Sequence, residues 1–225
     1  MKHPSSSPIP RRENTREKRT IVPVRSFPLK EIKQHFDDNL ATIDKQFEFA
    51  KSLGSEHLEQ AKAIWRSQIV FLESALDFYL HEISKYGVEQ IFRNNRYKTD
   101  SYLRMTFPMD RIEQAVNNVE NLDWLREAAN DKFCHAVFLD AGQIKGQLSL
   151  LGLNYDEICK NAKIPEDFLQ SLFLRRNQIA HQSDRKHEDA NLETISEEYV
   201  VNARTRVNSF VEAVHSACVV LDSES

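Results

Sequence analysis

Apolar residues recur at three- and four-residue steps along most of this chain, and that spacing leaves little room for anything but helices. Leu29, Ile32, Phe36, Leu40, Ile43, Phe47 and Ala50 trace one stripe, because 3.6 residues per turn bring side chains at those intervals to one side. Gly54 and Ser55 end this first helix. A second is expected from about Glu56 to Lys85, with Ala61, Ile64, Trp65, Ile69, Leu72, Ala75, Leu76, Tyr79, Leu80 and Ile83 as its apolar positions and Gly87 as its stop. Two long helices joined by a short loop should pack antiparallel. The chain has only 5 Gly in 225 residues, too few for a fold built on turns and hairpins. No internal repeat, Gly-rich phosphate loop or strand alternation breaks the pattern.

Residues 88–121 are less regular, with a polar basic stretch, Arg93-Asn94-Asn95-Arg96-Tyr97-Lys98, and Pro108 opening a helix near Met109. The next helix carries Leu122, Leu125, Ala128, Ala129, Phe133, Val137 and Phe138. A short piece with Leu148, Leu150 and Leu151 ends at Gly152. Asn154 reads as an N-cap, with Asp156 and Glu157 in the first turn, where the helix dipole favours acids. Pro165 suits the first turn of the following helix. A polar loop from Ser183 to Thr194 leads to a last helix, about Glu197 to Leu221, striped by Val200, Ala203, Val207, Phe210, Val214, Ala217 and Leu221. The expected fold is all-α: an antiparallel helical bundle with an irregular helical insertion.

Residues 1–28 stand apart. Five of the 7 prolines lie there, with Ser5-Ser6-Ser7 and a basic run from Arg11 to Arg19. Such a stretch cannot bury enough apolar area to offset its ordering entropy, so a disordered basic tail is expected before a helical domain at 29–222. It reads either as a solvated tail or as an arm for phosphates or a partner. Ile21, Val22 and Val24 suggest a short extended piece within it. Residues 1–30 hold eight Lys/Arg against two Glu, which leaves −10 on the other 195 residues of a chain whose total is −4. A body this acidic offers no general footprint for nucleic acid, and any such chemistry needs a local site.

Three widely spaced cysteines, Cys134, Cys159 and Cys218, form no CxxC pair and follow no apolar leader, as expected for reduced thiols in a cytoplasmic protein. Cys134 and Cys218 sit in helical apolar patterns and are expected to pack in the core. No apolar run approaches the roughly 18 residues of a membrane span.

The helix from Pro165 to Gln182 holds the residues that bear chemistry. At about 100° per residue, Phe168, Leu169, Leu172, Phe173, Ile179 and Ala180 share one broad face, with Arg176 near its middle. A guanidinium cannot shed its proton there, so it needs a carboxylate or a polar cavity. Leu174, Asn177 and His181 form a second stripe on the other side, which is either plain surface or a contact with a second copy of the chain. The acidic partner for Arg176 should come from the second helix, where Asp77 is the first choice and Glu73 the second. A lone acid in an apolar stretch generally has a basic partner, and one of the two could instead pair with Arg66.

The uninterrupted set Arg176-Asn177-x-x-x-His181 resembles the R-x4-6-H signature of the HEPN superfamily. The second helix, with Ser67 to Leu80 around Asp77, is similar to the long early helix of these proteins. The resemblance covers roughly residues 30–221. It rests less on the short motif than on order: acidic long helix, irregular insert, motif helix, closing amphipathic helix. Its layout is similar to the branch often found in bacterial defence loci and beside RNA-repair enzymes. One subgroup carries a Tyr two residues after the His, which a partner nucleotidyltransferase modifies. Here that residue is Ser183, so that antitoxin pairing is not implied, although some antitoxin or defence-system partner protein is.

What the resemblance implies is a metal-independent endoribonuclease without cofactors, acting on RNA as a homodimer through the motif helix. Arg176, Asn177 and His181 would be catalytic, and Asp77 or Glu73 would support them. Cleavage by the 2′-hydroxyl needs a base, an acid and a cation for the charged phosphorus. Histidine suits the proton transfers near neutral pH, and an arginine fork suits phosphate oxygens. One motif supplies one His, so two chains are needed. Arg175, Arg93, Arg96 and Lys98 are candidate RNA contacts, with Tyr97 as a stacking platform. The alternative is an inactive HEPN-type dimeric scaffold that binds a partner protein or nucleotide. Without the resemblance, His181 reads first as a surface or helix C-terminal histidine interacting with the last helical carbonyls. His181, Asp184 and His187 make an H-x-x-D-x-x-H cluster whose spacing suits no standard zinc site.

Overall fold

The computed structural model describes residues 25–118, 120–134, 138 and 140–223. The described chain is all-α. Its helices are α1 (Leu29–Ser52), α2 (Leu58–Phe92), α3 (Asp100–Leu103), α4 (Met109–Asn117), α5 (Asp123–Phe133), α6 (Ala141–Leu150), α7 (Tyr155–Ala162), α8 (Phe168–Gln182) and α9 (Glu197–Ser223). One turn of 3-10 helix, Ser55–His57, bridges α1 and α2. No described helix is long and apolar enough to cross a membrane.

Helix α2 is the hub, packed by α1, α5, α6, α8 and α9. Its apolar residues point nearly all round, as a helix enclosed by neighbours requires. Ile69, Tyr79, Leu80, Ile83, Val88 and Ile91 are fully buried. Each such side chain contributes about 1.5–3 kcal/mol relative to exposure. Phe36 and Ile32 of α1 and Val207, Phe210, Val211 and Val214 of α9 complete the same core.

Gly54, at φ 69°, ends α1 as its sequence position implies. Gly87 does not end α2, which continues five residues further to Phe92. A Cβ there would overlap the side chain of buried Leu151, so Gly87 is small to let the α6–α7 corner close onto α2. At Gly152, φ is 82° and the Tyr97 ring lies against the Cα.

The stretch after α2 is held by long-range polar contacts. Tyr97 donates its hydroxyl to the Gly152 carbonyl at 3.0 Å, and Thr99 donates to the Leu150 carbonyl at 3.0 Å while capping α3. Arg111 of α4 bonds Glu127 at 2.5 Å and Asp131 at 2.7 Å on α5. Asn154 caps α7, accepting from the Asp156 and Glu157 amides.

Several boundaries move. Helix α5 stops at Phe133, so Phe138 is not part of it; its buried ring packs on Phe133 at 6.0 Å. Val137 lies outside the described residues. Pro165 precedes α8, which begins at Phe168. Cys134 is exposed at the end of α5, whereas Cys159 and Cys218 are buried. Residues just before α1 already contact it: Arg25 pairs with Glu31 at 3.3 Å, and Phe27 packs edge-on against His35 at 4.8 Å. The tail reading of residues 1–24, and the extended piece at Ile21, Val22 and Val24, lie outside the described residues.

Candidate functional site

Helix α8 lies antiparallel to α2, since Arg176 meets Glu73 while Asp184, just past its end, meets Arg66. Its first half is anchored by buried Phe168, Leu169 and Leu172. In its second half the apolar face is not fully covered: Phe173 and Ile179 are half-buried and Ala180 is exposed. The half that carries the motif is therefore only partly covered, and it becomes exposed from Ala180 onward.

Arg176 projects back toward α2. Its Nε lies 3.6 Å from Glu73 Oε2, and its Nη1 donates to Asn177 Oδ1 at 3.0 Å. The Glu73 side chain is 2% exposed and that of Arg176 24%. At 3.6 Å the contact is too long for a hydrogen bond, and neither Arg176 Nε nor Glu73 Oε2 has a bonding partner. Burial pushes the Glu73 carboxyl up to about 8; Arg176 pulls it down and the nearby Asp77 carboxylate pushes it further up. Near neutral pH Glu73 is thus mostly uncharged, and Arg176 keeps an uncompensated positive charge.

The order of the two acids is reversed from the sequence expectation. Asp77 accepts the Phe138 amide at 3.0 Å and lies 3.5 Å from His81 Nε2. It anchors the turn after α5, and Glu73 is the acid that faces Arg176. The two differ by only about 40° round an ideal helix, which spacing alone does not resolve.

Leu174, 59% exposed, and His181, also exposed, lie on the outer stripe, with Asn177 half-buried between them. The bond from Arg176 joins that stripe to the inner face.

The other candidate cations fall elsewhere. Arg175 is spent internally: it donates to Asp184 Oδ2 at 2.9 Å, to Gln178 at 3.1 Å and to the Thr194 carbonyl at 3.1 Å. Arg93 lies twenty residues, about 30 Å, along α2 from Glu73, and bonds Glu89. Arg96 is buried, donating to Asp222 at 2.7 Å and the Cys218 carbonyl at 3.3 Å. It is a structural strut, and its reading as an RNA contact is withdrawn. Lys98 and Tyr97 are exposed beside it, at the end of the molecule away from the motif.

Asp184 carries more than the sequence implied. It reads as part of a polar loop, yet it is 0% exposed and pairs with both Arg66 and Arg175. That inward placement also takes it away from the His181/His187 cluster. The available signal was Arg66, seven residues before Glu73 and so on the same face of α2, which needed an acid from the α8 side.

A groove of 650 Å³ between α1 and α2 is lined by His35, Asp38, Thr42, Phe71, Ser74 and Phe78, among others. Phe71 and Phe78 lie about 140–160° round α2 from Glu73. Its lining includes Asp38 and no Lys or Arg, so it suits a polyanion poorly, and the motif face remains the better site.

No protein-family model, no curated protein and no solved structure matches this chain.

Proposed function

We propose that this chain is a HEPN-type, metal-independent endoribonuclease that acts as a homodimer through α8. What carries the reading is Arg176: half-buried, backed by a mostly neutral Glu73, joined to Asn177, and one and a half turns from an exposed His181. A guanidinium without a compensating anion is a ready phosphate ligand. Arg176 and His181 diverge by about 140° round the helix, so one chain makes an incomplete site. The exposed Leu174 on the same stripe supports a second copy packing there.

In such a site one His181 imidazole takes the proton from the 2′-hydroxyl, whose oxygen attacks phosphorus. The imidazolium of the second copy gives a proton to the departing 5′-oxygen. Arg176 stabilises the charge on the phosphoryl oxygens. The products are a 2′,3′-cyclic phosphate and a 5′-hydroxyl. A role in bacterial defence or toxin–antitoxin biology, with a neutralising partner protein, rests on the family resemblance alone.

Purified protein incubated with total RNA in EDTA should cleave it, and Arg176→Ala or His181→Ala should reduce the rate by at least about 10². Cleavage that survives His181→Ala would overturn the proposal. The second reading, a non-cleaving dimeric scaffold for a partner protein or nucleotide, draws on the same exposed Leu174 and predicts an intact dimer with no cleavage.

A further inference from the structure

Among the described residues, nothing bonds the His181 ring. Catalytic histidines are usually oriented by a second group. Here the imidazole is held only through the backbone that carries it, so whatever fixes the end of α8 fixes the ring.

That end is unusually constrained. Ser183 and Asp184 are consecutive non-Gly residues in the left-handed region, at φ 53° and 56°, a turn that persists only where its surroundings over-determine it. The Asp184 amide closes the helix on the Gln178 carbonyl at 3.0 Å, and its carbonyl accepts the Glu193 amide at 2.7 Å. Its carboxylate is fully buried between Arg66 of α2, whose Nε donates at 2.5 Å, and Arg175 of α8, whose Nη2 donates at 2.9 Å. The same arginines tie down the far end of the loop: Arg66 donates to the Glu193 carbonyl at 2.7 Å and Arg175 to the Thr194 carbonyl at 3.1 Å. One carboxylate thus joins α2, α8 and the approach to α9.

We infer that Asp184, gripped by Arg66 and Arg175, is a positioning residue for His181. It sets where the end of α8 presents the imidazole relative to Arg176. The cluster lies three residues beyond His181 and includes the immediate neighbour of Arg176. A buried ion cluster placed only for stability would be served as well by apolar packing. The inference rests on the nuclease reading of this helix.

The test is steady-state cleavage of a single-stranded RNA reporter in EDTA by the wild type, His181→Ala, Asp184→Asn and Arg66→Lys. Assays run below the melting temperature of every variant. Displacement of a reacting group by about 1 Å costs up to about 10²-fold. Asp184→Asn should therefore lower kcat by about 10- to 10²-fold with KM within about twofold of wild type. A folded Asp184→Asn protein with wild-type kcat overturns the inference. If that variant does not fold, Arg66→Lys decides: it keeps the charge but not the fork, and kcat should fall while KM holds. A wild type that does not cleave sinks the nuclease reading by itself. The clamp is then read from the His181 ring resonances in NMR spectra, which should move in Asp184→Asn. Unmoved resonances overturn it.

Discussion

Glu73 and Asp77 share one face of α2, yet they meet different fates because of what lies opposite each. Asp77 has an amide hydrogen and His81. Glu73 has a guanidinium at 3.6 Å, too far to hydrogen-bond, and burial lifts its carboxyl to about 8. In the unfolded chain a Glu ionises near 4.3. Between those two values the folded protein holds a proton that the unfolded chain has released, so stability falls as pH rises across that window. The melting temperature should therefore drop from pH 5 to pH 8. In Glu73→Gln that drop should shrink by at least about 2–4 °C, the shift expected for about 1 kcal/mol in a chain of this size. An unchanged slope would mean Glu73 ionises normally. Glu89 works in the opposite sense. Burial alone would raise it, but Arg126 and Arg93 bond its carboxylate and hold it down to about 2. Its contribution is present above about pH 4.5 and is lost as pH falls toward 2. That Arg176, Asn177 and His181 share one helix was legible in the sequence because they fall within one and a half turns of it. The burial of Arg96 and Asp184 was not, because their partners lie 126 and 118 residues away.

At the scale of elements, local spacing specified the long helices well. The stripes of α1 and α9, and the Asn154 cap of α7, lie where the three-four pattern and the capping chemistry put them. What local signals misjudged was Gly87. A Gly near the end of a stripe ordinarily reads as a stop, but here it admits Leu151 from sixty-four residues further on. Gly to Ala inside an exposed helix gains about 1 kcal/mol. At this position the new methyl would overlap a buried side chain, and overpacking of that kind costs about 1–3 kcal/mol. Gly87→Ala should thus destabilise the protein in chemical denaturation, and combined with Leu151→Ala it should cost less than the two single variants summed. Additive effects would show that the two do not touch.

For the whole molecule, the fold places the motif on the outer half of α8 and leaves Leu174 uncovered. If that stripe joins two copies, Leu174→Glu should convert a species of about twice 26.2 kDa into a monomer by light scattering. RNA cleavage should be lost in the same variant, although neither Arg176 nor His181 has changed. A monomeric variant that still cleaves would detach catalysis from dimerisation. The three thiols provide a way to watch this. Reaction with a maleimide requires access and a thiolate. Cys159 and Cys218 are buried, and burial raises both, Cys218 to about 11. Cys134 alone is exposed, so the native protein should accept one spin label per chain and the denatured protein three. Without any engineered cysteine, a pair of such labels would report the separation between two protomers in solution as a single measurable length.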